Sequence, residues 1–384
     1  MTSRETRTET HAEIGDRAVE LLRELVSIDS VNPGLVDGAA GESAIVAFLQ
    51  HRLSNAGFTT HVVCPPNRPD RPSLVAVAPG PLNAHTVIFN GHLDTVGVKG
   101  MDAPFTPRID GDRLFARGAA DMKGGVAALV VAAEDLVRAG APVRPVLALV
   151  ADEEDSSLGS EAVIAALPEL GIHPDVCVIG EPTDNALARS LRGFAVVKVT
   201  FAGRASHSSQ PENGINAVAH LGEFMARVAA RADNVRATGG DLMVTMVRGG
   251  DSPFVIPDHA ECLVEVRTVA GQLAAQAAHD ISTLFDASWD ALADVVACRE
   301  AWQLDSAGPA AQLAAQLGSA LGTGPTFDAP YWMEAPLWQA VCPTLICGPS
   351  GGGLHAVDEW VDLRQVRAFA QALVAATASP SLFT

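Results

Sequence analysis

Four segments bearing histidine or carboxylate fall directly behind apolar runs. TVIFNG (86–91) leads into His92-Leu93-Asp94, VLALVA (146–151) into Asp152-Glu153-Glu154, and VCVIG (176–180) into Glu181-Pro182-Thr183. PTLICG (343–348) is followed by a glycine-rich loop and His355. A fifth element, RGAADMKGG (117–125), puts Asp121 at the mouth of a helical stretch. Carboxylates with imidazole suit zinc, or less specifically manganese or cobalt. Several acids gathered in one place repel each other, and a pair of divalent cations removes that cost. Any one of these residues alone reads as an ordinary loop acid or a satisfied histidine; their recurrence at four strand ends points to a metal centre.

The local spacing adds detail. Alternate residues of an extended segment point the same way, so Asp94 is expected beside His92, accepting its second ring proton and fixing the tautomer. In Asp152-Glu153-Glu154 the two glutamates are expected to point apart, one toward metal and one toward substrate as a proton acceptor.

These residues need a scaffold that delivers them to one edge. Residues 17–28 and 43–56 read as amphipathic helices, separated by the chain-breaking Asn32-Pro33-Gly34. The runs at 73–78, 86–91, 146–151 and 176–181 are apolar throughout rather than alternating. This fits strands buried on both faces of a sheet flanked by helices, here at 122–139 and 159–170. Ligands of such open α/β sheets bind at the carboxyl ends of the strands. Beyond Ala188 the texture changes. Strands at 193–203, 241–248, 259–268 and 293–300, with helices at 214–232 and 271–286, follow the β-α-β-β-α-β order of a ferredoxin-like domain. A helix (308–321), a strand (343–348) and a closing helix (363–377) then complete the first domain. The fold class is α/β: a mostly parallel sheet flanked by helices, formed by 1–189 and 302–384, with an α+β domain over 190–301 inserted into it.

Composition limits the partners. The chain has 384 residues, nearly half of them apolar, with a formal net charge of −19. That acidity disfavours nucleic acid and anionic membrane as partners. The six cysteines are scattered without a CxxC pair, as buried free thiols in a reducing compartment would be. The start is polar, without the apolar segment of a signal peptide. No apolar run approaches the length of a membrane span. A cytoplasmic enzyme is expected, frayed before about Asp16.

GHLDTV (91–96), RGAADMKGG (117–125), DEED (152–155), GEPT (180–183), GRASHSSQPENGINAV (203–218) and LHAVDEWV (354–361) together resemble the M20 metallopeptidase family, which includes acetylornithine deacetylase, succinyl-diaminopimelate desuccinylase, aminoacylase and carboxypeptidase G2. The motifs keep the family's order and span nearly the whole chain. The resemblance implies two zinc ions, with cobalt or manganese as substitutes, bridged by Asp121. One ion would add His92 and Glu181, the other Glu154 and His355. Glu153 would be the general base, Asp94 the partner of His92, and Asp121-Met122 a cis peptide. The inserted domain would be a lid through which a homodimer forms, with His207 stabilising the oxyanion in the partner's site.

Family substrates carry a free carboxylate, so Arg192 and Arg267 are candidate anchors; either could instead serve in a salt bridge of the lid. Asn216 reads as a helix-end residue. The chain departs from the family at Gly97, where proline is usual. It departs again at GPS (348–350) in place of GPG, at Glu265 in place of aspartate, and at Phe254, where the lid motif usually has asparagine. The last change suggests a less polar acyl group or side chain. EAPLWQAVCPTLICGP (334–349) resembles the acetylornithine deacetylases, which would put Glu334 near the amine-bearing part of the substrate. Tyr331, Trp332 and Met333 would either line that region or pack within the loop. The expected activity is hydrolysis of an N-acyl-L-amino acid by metal-activated water. A dipeptidase, carboxypeptidase or desuccinylase is the alternative, and a non-catalytic binding homologue the remotest.

Overall fold

The computed structural model describes residues 11–81, 84–322 and 326–379. The chain divides into two compact units, one of 1–188, 304–327 and 337–384, the other of 189–303 and 328–336. Residues 328–336 thus group with the inserted unit, not with the C-terminal return where the sequence suggested them. They are tied there by the Arg192 amide donating to the Ala329 carbonyl and by an ion pair from Arg189 to Asp328.

The first unit is built on a six-stranded sheet in the order Thr59–Val63, Ser73–Val77, Val143–Val150, His85–His92, Val176–Ile179, Thr344–Ile346. The last four are mutually parallel, whereas Ser73–Val77 runs antiparallel to Val143–Val150. All eight residues of Val143–Val150 are buried, as its unbroken apolar run requires of a strand covered on both faces. The helices His11–Val26, Gly124–Ala139 and Leu363–Thr377 pack against one another. The expected fraying before Asp16 needs correction. His11–Asp16 are helical, and Ile14 is buried in the core, which anchors that first turn; residues 1–10 lie outside the described residues.

The helix expected from Met122 begins at Gly124, because Ala119–Lys123 form a wider, irregular turn. A side chain at Gly125 would meet the Gly180 carbonyl at 2.0 Å. Only glycine lets the helix start press onto the strand end that carries Glu181.

In the second unit, Asp241–Gly249, His259–Thr268, Gly193–Ala202 and Asp290–Arg299 form a four-stranded antiparallel sheet in that order. Alternate residues of Gly193–Ala202 and His259–Thr268 are buried, so one face is packed and the other partly open. The packed face carries helix Ala217–Ala237, capped by Asn216 accepting from the Ala219 amide, and the shorter helix Ala274–Asp280. The latter gives way to a 3-10 turn, Ile281–Leu284, short of the expected 286. There Ser282 and Thr283 turn their hydroxyls onto the carbonyls of His279 and Asp280, competing with the helical ladder. The element order is the ferredoxin-like one. Among the described residues no helix is long and apolar enough to cross a membrane.

Candidate metal centre

Three adjacent parallel strands bring their carboxyl ends to one edge. His92 ends its strand opposite Val150, and the neighbouring strand stops at Ile179, two residues before Glu181. The chain leaving Val150 supplies Glu153 and Glu154. His355 arrives from the loop between the short strands Gly351–Gly352 and Trp360–Asp362, with φ at 60° and its side chain 53% exposed.

Asp121 sits between the two histidines. Its Oδ1 lies 3.0 Å from His92 Nε2 and its Oδ2 lies 3.2 Å from His355 Nε2. Glu154 Oε2 is 3.1 Å from His355 Nε2, and Glu181 Oε1 is 4.0 Å from His92 Nε2. Donor atoms of His92, Asp121 and Glu154 come within 4.8 Å of one another, as do those of His92, Glu153 and Glu181. The structure therefore brings together all five expected ligands and Glu153. The peptide Asp121-Met122 is cis.

The electrostatics favour positive charge at this point. Burial alone would lower the His92 imidazole, but the hydrogen bond to Asp121 and the adjacent Asp94 carboxylate, together with the charges of Glu181 and Glu153, hold it well above its usual value. Hydrogen bonds to Asp121 and Glu154 raise His355 to about 10. Burial opposes ionisation of Asp121, yet the two histidines keep its carboxyl below the usual range. Glu154 is raised chiefly by burial. Two imidazoles and three carboxylates are a donor set for zinc or a similar cation. Among the described residues, buried Glu154 Oε1 has no hydrogen-bond partner, so it remains available as a ligand atom. The residues fit a pair of divalent cations.

Asp94 requires a correction. His92 Nδ1 is 3.0 Å from the Asp94 main-chain carbonyl, whereas the Asp94 carboxylate stands off at 3.6 Å and contributes charge rather than a hydrogen bond. The carboxylate instead accepts from the Asn32 side-chain amide at 2.7 Å and from the backbone amides of Glu153 and Glu154 at 3.1 and 3.2 Å. It holds the loop that carries both glutamates.

Four charged residues here were not singled out from the sequence. Arg71 is fully buried between Glu42 and Asp152, with nitrogens 2.5 Å and 2.6 Å from their carboxylates. Glu359 and Arg117 are likewise buried, behind the Asp121 turn. Glu359 stands inside the LHAVDEWV motif and Arg117 opens RGAADMKGG, which was the available signal.

The remaining candidates lie in the inserted unit. His207 is exposed, its Nδ1 2.8 Å from Ser209 Oγ. Phe254 is 68% exposed, and its carbonyl accepts from the Ser208 amide, so it neighbours His207 across a short bridge. Arg267 is engaged by Glu265 at 2.5 Å and lies over the Phe194 ring. Arg192 borders a cleft with Arg189, Gln303 and Asp328. Glu334 and Met333 are buried. Trp332 donates to the Glu300 carbonyl and meets Phe194 edge-on, so it packs within its own unit.

Residues 88–379 match the model of peptidase family M20/M25/M40. The chain is 26% identical over 364 residues to the acetylornithine deacetylase of Proteus mirabilis, covering 90% of this chain and 92% of that protein. It is 30% identical over 392 residues to the succinyl-diaminopimelate desuccinylase of Methylocella silvestris, covering 94% and 97%. Among solved structures, a tripeptidase from Staphylococcus aureus superposes with a TM-score of 0.79 at 16% identity, over 95% of this chain and 98% of that one. A dinuclear metal-binding peptidase of the M20 family from Bacillus subtilis superposes with a TM-score of 0.71 at 14% identity, over 95% and 98%. These last two likenesses speak for the fold. The chain thus belongs to peptidase family M20/M25/M40, and it is a metal-dependent hydrolase of amide bonds.

Proposed function

We propose that this chain is a dinuclear zinc deacylase that cleaves the amide of an N-acyl-L-amino acid, as an acetylornithine deacetylase does. The observation that carries the reading is the division of Asp121, one carboxylate oxygen toward His92 and the other toward His355. Asp121, His92 and Glu181 would hold one cation; Asp121, Glu154 and His355 would hold the other. When bound, such a pair lowers the pKa of a water and polarises the scissile carbonyl. Glu153 takes the proton of the attacking water and passes it to the leaving nitrogen. The Asp94 carboxylate keeps Glu153 and Glu154 in register through their amides. The Asp94 carbonyl fixes the tautomer of His92 so that Nε2 faces the centre.

His207 is the proposed oxyanion donor, supplied to the partner's site in a homodimer formed through the inserted unit. Exposed Met243, Met246 and Val247 on one edge strand, and Leu292, Val295 and Val296 on the other, support an association of that unit. Arg192, Arg267, Phe254 and Glu334 are proposed to shape substrate binding. The six free cysteines fit a reducing, cytoplasmic setting. The Methylocella relative at 30% identity keeps desuccinylation as the second reading.

The test is a hydrolysis screen over N-acetyl, N-succinyl and N-formyl amino acids and dipeptides, with and without chelator, on the wild type and Glu153→Gln. Deacylation that is abolished by chelation, restored by zinc or cobalt, and about 10²–10⁴-fold slower in Glu153→Gln is expected. A Glu153→Gln variant of full activity would remove the proposed base. Preferential release of free amino acids from dipeptides would replace the deacylase reading with a peptidase one. Mixing Glu153→Gln with His207→Ala should recover activity if His207 serves the partner's site.

A further inference from the structure

Glu359 is 1% exposed, and its carboxylate is completely engaged by the turn that presents Asp121. Oε1 accepts from the amides of Ala120 at 2.9 Å and Asp121 at 3.1 Å. Oε2 accepts from the Gly118 amide at 2.9 Å and from Arg117 Nη1 at 2.6 Å. Arg117, itself buried, turns its other terminal nitrogen to the carbonyls of Gly97 at 3.0 Å and Ala356 at 3.1 Å. Gly97 lies on the segment that leaves His92 and Asp94, and Ala356 directly follows His355. One buried ion pair thus joins three loops that also converge on the candidate metal centre. The Asp121 turn needs such support. Gly118 is its N-cap and Ala120 and Asp121 lie in its first turn, where helix amides have no carbonyl of their own helix to bond.

We infer that Glu359 and Arg117 are positioning residues that set the separation of Asp121 and His355, and with it the affinity for the cation those two residues share. The inference rests on the ligand assignment proposed above. A carboxylate accepts at every position this pocket offers, whereas an amide turns one acceptor into a donor facing Arg117 and the Gly118 amide. Glu359→Gln therefore preserves size and loses the clamp. Arg117→Lys keeps the charge against Glu359 and loses the forked reach to Gly97 and Ala356.

The experiment is calorimetric titration of the metal-free chain with zinc, for the wild type, Glu359→Gln and Arg117→Lys, alongside thermal unfolding of the same metal-free samples. Both variants are expected to bind one zinc about 10–100-fold more weakly. Their kcat should return toward the wild-type value as free zinc is raised, because the cation itself then draws the loops together. A merely structural role gives a different result: a lower metal-free melting temperature accompanied by unchanged zinc affinity and no rescue by zinc. That outcome overturns the inference. If Glu359→Gln does not fold, Arg117→Lys decides alone, and zinc affinity within twofold of wild type in that variant overturns it too. A wild type that binds no divalent cation sinks the ligand assignment. Two zinc ions in the wild type with unaltered binding in both variants sinks the clamp only.

Discussion

The side-chain amide of Asn32 donates to the buried carboxylate of Asp94 at 2.7 Å. The same nitrogen lies 3.2 Å from Asp152, and Asn32 Oδ1 accepts from the Gly34 amide at 2.7 Å. A residue that reads in sequence as part of a chain break thus steadies the segment carrying Glu153 and Glu154. Replacing it by alanine removes a hydrogen bond to a buried charge, which is worth about 1.5–3 kcal/mol. Asn32→Ala should show that loss in urea unfolding, and kcat should fall as well because both glutamates hang from Asp94. Unchanged stability with unchanged kcat would contradict this.

Arg71 is the buried counter-charge of Glu42 and Asp152. Removing one partner of a buried pair strands the rest and typically costs about 3–5 kcal/mol. Arg71→Met should approach that figure in equilibrium unfolding. Arg71→Lys should fall in between, since an ammonium cannot fork between two carboxylates. A loss below about 1 kcal/mol for Arg71→Met would show that the guanidinium is dispensable.

Burial pushes the thiols of Cys342 and Cys347 up from 9.0 to about 12. The sign comes from linkage. Between these values the unfolded chain sheds thiol protons that the folded chain keeps, so the stability contributed is intact below about pH 9 and is lost as pH rises toward 12. Stability should fall across that window, less steeply in Cys342→Ala/Cys347→Ala. At pH 8 a thiol reagent should react fastest with the half-buried Cys64 and Cys298. Rapid labelling of Cys347 in the folded protein would count against the packing described.

Phe254 offers an exposed phenyl ring on the segment that bridges to His207 through Val255. Because it is exposed, Phe254→Asn should leave stability within about 0.5 kcal/mol. If the ring meets the acyl group, the ratio of kcat/KM for apolar over polar acyl substrates should drop by about tenfold or more. A ratio that does not move would show that Phe254 has no part in substrate choice.

The proposed ligands were legible as a cluster because strands covered on both faces leave unbroken apolar runs, and a histidine or carboxylate at the end of such a run stands out by contrast. Asp94 was only half legible. Alternation along a strand says which way a side chain leaves the backbone, yet whether its carboxylate or its carbonyl comes nearer to His92 is set by the backbone path beyond the strand end, which no spacing rule describes. Arg71 was hidden for a different reason. PNRPDRPS has the composition of a surface loop, and a buried ion pair has no periodicity, so its burial depends on Glu42 and Asp152 arriving from distant parts of the chain. Glu359 was hidden inside its own motif, where His355 drew the chemical reading. The three-residue strands Arg108–Asp110, Arg113–Phe115 and Trp360–Asp362 are too short to register as patterns, although the last of them seats Glu359.

The order in which the proposed ligands occur along the chain has a consequence for biosynthesis. His92, Asp121, Glu154 and Glu181 precede the inserted unit and His355 comes after it. A ribosome must therefore finish the whole insertion, and the strand after it, before the fifth ligand exists. Domains generally fold as they emerge, so the four earlier ligands wait on a nascent sheet that still lacks Thr344–Ile346. On that ligand assignment, full loading of a metal pair would be a late event that reports completion of the chain, and a truncated product ending within the insertion would lack the donors to hold both cations.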